Sequence, residues 1–163
     1  MDKTSTSNYK IRFNDCDMFG HLNNSSYLDY LINAREDHLK DNYNLSLADY
    51  YKKGQGWVVS THEIAYVRPA VYNETVSIQS TLLLADNESV YVETMMMNEK
   101  QDQLKAIMRT KLIHVSTTTG RKEPHDPEFL AWAKSMENSE VYAQGNLQER
   151  IKLLLAEMKE RKG

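Results

Sequence analysis

The sequence predicts an α+β domain in which one long helix packs against a five-stranded antiparallel sheet. An alternating run of residues, an apolar helical pattern and four further strand-like runs follow one another along the chain. A helix and a sheet each carry one apolar face, and a two-layer arrangement buries both. The chain of 163 residues is long enough to form one domain around such a core.

A polar loop separates the first predicted strand from the long helix. Apolar and polar residues alternate over 9–15, which predicts a half-buried strand, and a disordered tail is expected over 1–7. Apolar residues at helical spacing then run from 25 or 26 to about 42–44. Residues 23–26 are all good N-cap types, so the start of the helix is fixed only to within a few residues.

The rest of the chain supplies the other strands and shorter helices. Short polar turns between the strand-like runs predict an antiparallel meander. The main domain is expected over 8–136 and a C-terminal helical extension over 137–163, packed on its own domain. The predicted strands are 56–69, 74–85, 90–98 and 104–117, and the predicted helices are 46–54, 127–136 and the amphipathic 147–158.

Composition narrows the classes of partner. A net charge of -3, from 23 acids and 20 bases, gives no electrostatic reason to expect nucleic acid. The apolar runs are too short to cross a bilayer, and the polar N-terminus lacks the apolar core of a signal peptide. A single cysteine cannot form an intrachain disulfide. We therefore expect a cytoplasmic protein with no nucleic-acid or membrane partner.

The loop before the helix concentrates side chains that can carry chemistry. Each has an ordinary structural explanation as a turn, cap or hydrogen-bonding residue. However, a helix start also supplies unpaired N–H groups that bind the oxygen of a polarised carbonyl. An adjacent carboxylate completes a minimal site for acyl-transfer hydrolysis, either by deprotonating water or by attacking the carbonyl. The residues in question are Asp15, Cys16, Asp17, His21, Asn23 and Asn24.

Several other chemistries are disfavoured. Cys16 lies between two acids, which would raise the pKa of its thiol and suppress the nucleophilic thiolate. The five histidines show no ligand-like spacing, so no metal site is predicted. The chain has neither a Gly-rich phosphate loop nor a serine in a nucleophile elbow, and no cofactor is expected.

Two segments resemble a known family. "DCDMFGHLNNSSYLDYLINAR", residues 15–35, resembles the signature of hotdog-fold thioesterases of the 4-hydroxybenzoyl-CoA thioesterase-like family. "IAYVRPA", residues 64–70, resembles the I-x-Y-x-x-P-A strand end of that family. The order of strands agrees from about residue 8 to 130, and the C-terminal helix lies outside the resemblance. The matching signature positions are Asp15, Asp17, Gly20, His21, Asn23, Asn24, Tyr27 and Arg35.

The resemblance implies a hotdog fold, in which a curved sheet wraps the long helix, with a homodimer or homotetramer as the working unit. It implies hydrolysis of acyl-CoA or acyl-carrier-protein thioesters, an activity of lipid metabolism. The catalytic carboxylate falls on Asp17, and the oxyanion-binding N–H falls on Asn24 or its neighbour Ser25. His21 would orient the thioester or the acid.

The remaining site predictions concern the substrate. An acyl tunnel between helix and sheet would be lined by residues such as Met95 or Leu82. Basic residues at its entrance would meet the phosphates of coenzyme A, and the candidates are Arg68, Arg109 and Lys111. The residues expected to bind substrate are Gly20, Asn23, Ser25, Tyr27 and Arg68.

Two alternatives stay open. One is a hotdog-fold hydratase acting on enoyl thioesters; these enzymes typically have a proline between the Asp and the His, and residues 18–20 contain none. The other is a non-catalytic module that binds acyl-CoA or a protein partner, for which the amphipathic segment 147–158 is the best support.

Overall fold

The computed structural model describes residues 2–162. Met1, in the expected tail, and Gly163, in the expected extension, lie outside the described residues. The five strands are β1 (Thr4–Lys10), β2 (Gln55–Tyr66), β3 (Thr75–Ala85), β4 (Ser89–Asn98) and β5 (Leu104–Ser116). The helices are α1 (Asn24–Tyr43), α2 (Leu47–Lys52), α3 (Pro127–Met136), α4 (Ser139–Tyr142) and α5 (Leu147–Lys162), with one 3-10 turn at Phe13–Asp15.

All five strands form one antiparallel sheet in the order β1-β3-β4-β5-β2. The predicted α+β class and five-stranded antiparallel sheet are confirmed. The predicted meander is right for β3, β4 and β5 but wrong for β2, which pairs with β5 at one edge of the sheet. Residues 67–74, which include Pro69, form a connection too long for a hairpin and carry the chain away from β2 to β3.

The first strand differs from its prediction at both ends. Residues 4–7 belong to β1 and pair with residues 78–81 of β3, so the expected disordered tail is wrong there. Backbone pairing orders this segment although its side chains are mostly polar. Residues 11–15 leave the sheet, and Phe13 is 76% exposed in the 3-10 turn.

Helix α1 packs on one face of the sheet. Its buried residues, Tyr27, Leu31, Ala34 and His38, recur at intervals of three or four, as expected for one face of a helix. The helix ends at Tyr43 because Asn44 takes the left-handed conformation, with φ 53°, a common way to terminate a helix. This face of the sheet carries the core that supports the start of α1.

Helix α5 covers the opposite face, which we call the outer face. Its residues Leu147, Leu154 and Met158 pack against a cluster that includes Met95 and Met97. The C-terminal helix thus packs on its own domain, as expected. Both faces of the sheet are covered, and this decides which side chains can reach a ligand.

Candidate active site

The loop that precedes α1 is fixed by backbone hydrogen bonds to residues 70–74. Ile11 N–H donates to Glu74 O at 2.8 Å, Leu22 N–H to Ala70 O at 2.9 Å, and the N–H of Tyr72 to Gly20 O at 2.8 Å. The segment that leaves β2 therefore holds the loop against the mouth of the long helix.

Asp17 forms a tight turn at the tip of this loop. Its Oδ1 accepts hydrogen bonds from the N–H groups of Phe19 at 2.8 Å and His21 at 3.1 Å. Gly20 completes the turn with φ +75°, a conformation that favours glycine. Within residues 2–162, no donor bonds the second carboxylate oxygen, Oδ2. One oxygen thus sets the orientation of the carboxylate, and the other is free to meet a ligand.

The start of α1 keeps free donors. Asn23 is extended, with φ -60° and ψ 140°, and its side chain makes no capping hydrogen bond. No acceptor within residues 2–162 bonds the N–H of Asn24 or Ser25. An uncapped helix start presents these donors together with the positive end of the helix dipole. It can therefore hold an oxygen that becomes anionic.

Asp17 and the helix start share a cleft of about 440 Å³. Asp17 is exposed, but it lies in the wall of this cleft rather than on a convex surface. Gly20 and Ser25 are not part of the wall: the first shapes the loop and the second lies in the first turn of α1. The lining residues are Asp17, His21, Leu22, Asn23, Asn24, Tyr27, Tyr66, Val67, Arg68 and Pro69.

Two tyrosines support the cleft. Tyr27 is buried, and its hydroxyl accepts a hydrogen bond from the N–H of Ala70 at 2.9 Å. Tyr66 meets the Tyr27 ring edge to face at 5.2 Å between centroids and donates from its hydroxyl to Asn24 O at 3.2 Å. Tyr66 was not among the predicted site residues, although the Tyr of the I-x-Y-x-x-P-A strand end was a signal for it.

The two neighbours of Asp17 in the sequence have structural roles. Asp15 Oδ2 accepts a hydrogen bond from the Tyr30 hydroxyl at 2.6 Å. Burial, followed by this hydrogen bond, raises the pKa of Tyr30 to about 12. The Cys16 thiol donates to Arg12 O at 3.4 Å. Burial, followed by the charges of Asp15 and Asp17, raises the pKa of Cys16, in the direction expected from the sequence.

The three basic residues proposed from the sequence lie on different parts of the domain. Arg68 is exposed and lines the cleft. The expectation for Arg109 is wrong, because this residue is 4% exposed and pairs with Glu93 at 3.1 Å beneath α5. Lys111, two residues further along β5, lies on the same outer face and thus also points away from α1.

A second, mostly apolar cavity of about 230 Å³ lies between α1 and the sheet, and we call it the inner cavity. Leu82 lines it, as expected, whereas Met95 lies on the outer face under α5. Three of its lining residues, Ile32, Glu36 and Val59, are exposed and mark an opening between α1 and β2. Trp57, Phe129 and Trp132 also line the wall, which brings β2 and α3 into the enclosure.

Residues 2–162 contain neither a cluster of metal ligands nor a membrane-spanning helix. Within this range, no three His, Cys, Asp or Glu side chains are grouped so that they could hold a metal ion. No helix in the same range combines the length and the apolar character needed to span a membrane.

Comparison with known proteins identifies the family. The profile of the thioesterase-like superfamily matches residues 11–133. A crystal structure of a DHNA-CoA thioesterase from Staphylococcus aureus superposes with a TM-score of 0.74 at 23% identity, covering 86% of this chain and 92% of that one. No curated protein sequence matches the chain.

Two further structures show the same likeness. A hypothetical protein from Thermus thermophilus gives a TM-score of 0.75 at 19% identity, covering 83% of this chain and 98% of that one. The probable thioesterase YbaW from Escherichia coli gives 0.68 at 24% identity, covering 80% and 96%. At these identities the structures show a shared fold. The fold is the hotdog fold, and the chain belongs to the thioesterase-like superfamily.

Proposed function

We propose that this chain hydrolyses acyl-CoA or acyl-carrier-protein thioesters to a free acid and a thiol. The observation that carries the proposal is the shared cleft, in which a carboxylate with one free oxygen lies beside the uncapped start of α1. Membership of the thioesterase-like superfamily supports thioester hydrolysis as the general activity.

The start of α1 is proposed to bind the thioester carbonyl. As the carbonyl carbon becomes tetrahedral, negative charge develops on its oxygen, and the N–H of Asn24 or Ser25 donates to it. Such donors act most strongly on the transition state, and loss of one typically costs about 10²–10³ in rate. His21 and Asn23, on the same wall, are proposed to position the thioester or the Asp17 carboxylate.

Asp17 is proposed to act by one of two routes. As a general base, it takes a proton from water, the hydroxide oxygen bonds to the carbonyl carbon, and the carbon–sulfur bond then breaks. As a nucleophile, its free oxygen bonds to that carbon and expels the thiolate, and water later cleaves the mixed anhydride. In both routes the thiolate finally takes up a proton. After a single turnover in ¹⁸O-water, label in Asp17 identifies the second route with water attacking the Asp17 carbonyl of the anhydride, whereas general base catalysis puts the label in the released acid alone.

The inner cavity is our candidate for the acyl group. Its wall is mostly apolar, and a site of this kind binds hydrocarbon by burying it. Arg68, exposed at the cleft, is proposed to meet the phosphates of coenzyme A or the phosphopantetheine of a carrier protein. We place the activity in cytoplasmic lipid metabolism.

A homodimer is proposed as the working unit. Among residues 2–162, strand β2 pairs with β5 and with no other strand, and its Val58 and Val59 are 50% and 44% exposed. A second copy paired along β2 would cover these residues and the open backbone groups. Because α5 covers the outer face, a homotetramer built through that face is disfavoured. Light scattering should give a dimer mass, and Val58→Asp should shift it toward the monomer.

A thiol-release assay over short, long and aromatic acyl-CoAs, with an enoyl-CoA in the panel, tests the activity. Stoichiometric release of thiol and free acid is expected from at least one substrate class. Loss of enoyl absorbance without thiol release would instead identify a hydratase. Substrate binding with no turnover over the whole panel would favour the non-catalytic module and contradict the proposal.

A further inference from the structure

The inner cavity contains a cation, Arg35, that no acid among residues 2–162 pairs with. Arg35, in the middle of α1, lines the cavity and donates one hydrogen bond, from Nη1 to Ser80 Oγ at 3.1 Å. Within residues 2–162 no carboxylate forms an ion pair with it, including Glu36 at the cavity opening. A guanidinium has five N–H donors, so most of those on Arg35 are unused.

A chain of hydrogen bonds leads from this guanidinium to the surface. Ser7 donates its only hydroxyl hydrogen to Tyr9, at 3.0 Å, and Tyr9 donates to Asp37 at 2.6 Å. Ser7 Oγ therefore accepts from His38 Nε2–H, at 2.7 Å. In the neutral ring the other nitrogen, Nδ1, then accepts from the Ser80 hydroxyl, at 2.6 Å.

Each group in this series of hydrogen bonds donates to the next, from the Arg35 guanidinium to the Asp37 carboxylate. The series therefore connects Arg35 to an acid at the surface but places no negative charge in the cavity. Ser80 has used its hydrogen on His38 and serves Arg35 as an acceptor only. Burial lowers the pKa of Arg35 to about 10, which reflects the cost of a charge removed from water.

The unused donors of Arg35 face open space. Within residues 2–162, every fully enclosed side-chain nitrogen or oxygen has a hydrogen-bond partner. The nitrogens of Arg35 that lack a partner are therefore not fully enclosed by protein atoms. The void that this residue lines is the inner cavity. The rest of that wall is mainly hydrocarbon, including Leu31, Leu82 and Phe129.

We propose that Arg35 selects acyl groups that carry a carboxylate at the end remote from the thioester. This inference rests on the proposed function and names its substrate class. The apolar wall would contact the body of the acyl group, and the guanidinium would donate to the terminal oxygen. Asn24 and Arg35 are separated by about 16 Å along the axis of α1, so extended acyl groups are favoured.

Matched substrate pairs test the selection. We would measure kcat/KM for ω-carboxyacyl-CoAs and unsubstituted acyl-CoAs of roughly six to sixteen carbons, a range that brackets this separation. Wild type should favour the acidic member of at least one pair, and R35M should reduce that preference about 10- to 100-fold. R35K should retain part of it, because it keeps the charge without the planar fork.

The preference is the ratio of kcat/KM for the two members of a pair, measured on the same variant. A general loss of activity lowers both values equally and leaves this ratio unchanged. Equal rates for both members of every pair in wild type, or a preference unchanged in R35M, would overturn the inference while leaving the thioesterase proposal intact. If R35M does not fold, the R35K ratio takes its place in the same comparison.

A binding measurement separates this inference from failure of the proposed function. If no thioester is hydrolysed, the proposed function fails, and calorimetry with free acids still tests Arg35. Dicarboxylic acids should then bind wild type more tightly than the monocarboxylic acid of equal length, and R35M should lose the difference. Equal binding of both acids would overturn the role of Arg35.

Discussion

Asp17 and His21 are joined by two backbone-anchored hydrogen bonds. The N–H of Asp17 donates to His21 O at 2.8 Å, and the N–H of His21 donates to Asp17 Oδ1 at 3.1 Å. The carboxylate is therefore oriented by the loop backbone rather than by other side chains. An asparagine at position 17 can accept the same bonds, so charge can be removed here without removing the turn.

Cys16→Ser should retain most of the hydrolytic activity. The thiol only donates to Arg12 O, and its raised pKa keeps it protonated near neutral pH. Thiol release by Cys16→Ser, and by wild type that has been treated with iodoacetamide and freed of the reagent, measures this directly. A loss of rate as large as that expected for a change at Asp17 would assign chemistry to the cysteine.

Glu93→Gln should destabilise the fold by about 3–5 kcal/mol, since it leaves two buried arginines without their acid. Glu93 is 2% exposed and pairs with Arg109 and Arg150, each at 3.1 Å, which ties α5 to the sheet. Urea unfolding of the variant and of the wild type measures the difference in free energy.

An exposed ion pair is the matched control for this cluster. Lys134 and Glu137 interact at 3.3 Å, and the Lys134 side chain is 51% exposed. Lys134→Ala should change the free energy of unfolding by less than about 1 kcal/mol. Equal effects of Lys134→Ala and Glu93→Gln would show that the buried cluster does not anchor α5.

Stability should fall as the pH is lowered from about 6.5 to about 4, in part because of His38. Burial, followed by the charge of Arg35, lowers the pKa of His38 to about 4, although Asp37 and Asp41 act in the opposite direction. The unfolded ring takes up its proton near pH 6.5, so the unfolded state binds more protons in this interval. The contribution is up to about 3 kcal/mol.

His38→Gln isolates that contribution, because it keeps hydrogen-bonding groups and removes the titration. Chemical unfolding at several pH values should give a shallower dependence for the variant than for wild type. Parallel curves for the two proteins would show that the histidine is not held neutral in the folded state.

Local pattern predicts the long helix and the central strands because their apolar periodicity is strong. It fails for β1, where a polar segment is ordered by pairing with β3. It also fails for Arg109, which lies on a strand face that α5 covers from more than thirty residues away in the chain. Long-range contacts of this kind leave no local signal.

In the candidate site, too, the features set by local sequence are predictable and those set by long-range contacts are not. Asp17, His21 and Asn24 belong to one continuous segment, and its motif brings them to the cleft wall. Tyr66 and the inner cavity depend on how β2 lies against α1, which the sequence alone does not specify. That no acid in the described part of the chain pairs with Arg35 likewise emerges only when the surrounding elements are in place.

The central claim is that the Asp17 carboxylate acts on a thioester carbonyl held at the start of α1. Thiol release by Asp17→Asn, compared with Asp15→Asn, tests it most directly, with folding checked by circular dichroism. Asp17→Asn should lose about 10²–10⁴ in kcat/KM with its fold intact, whereas Asp15→Asn, whose amide oxygen can still accept from Tyr30, should stay near wild type. Retention of most activity by Asp17→Asn would contradict the account.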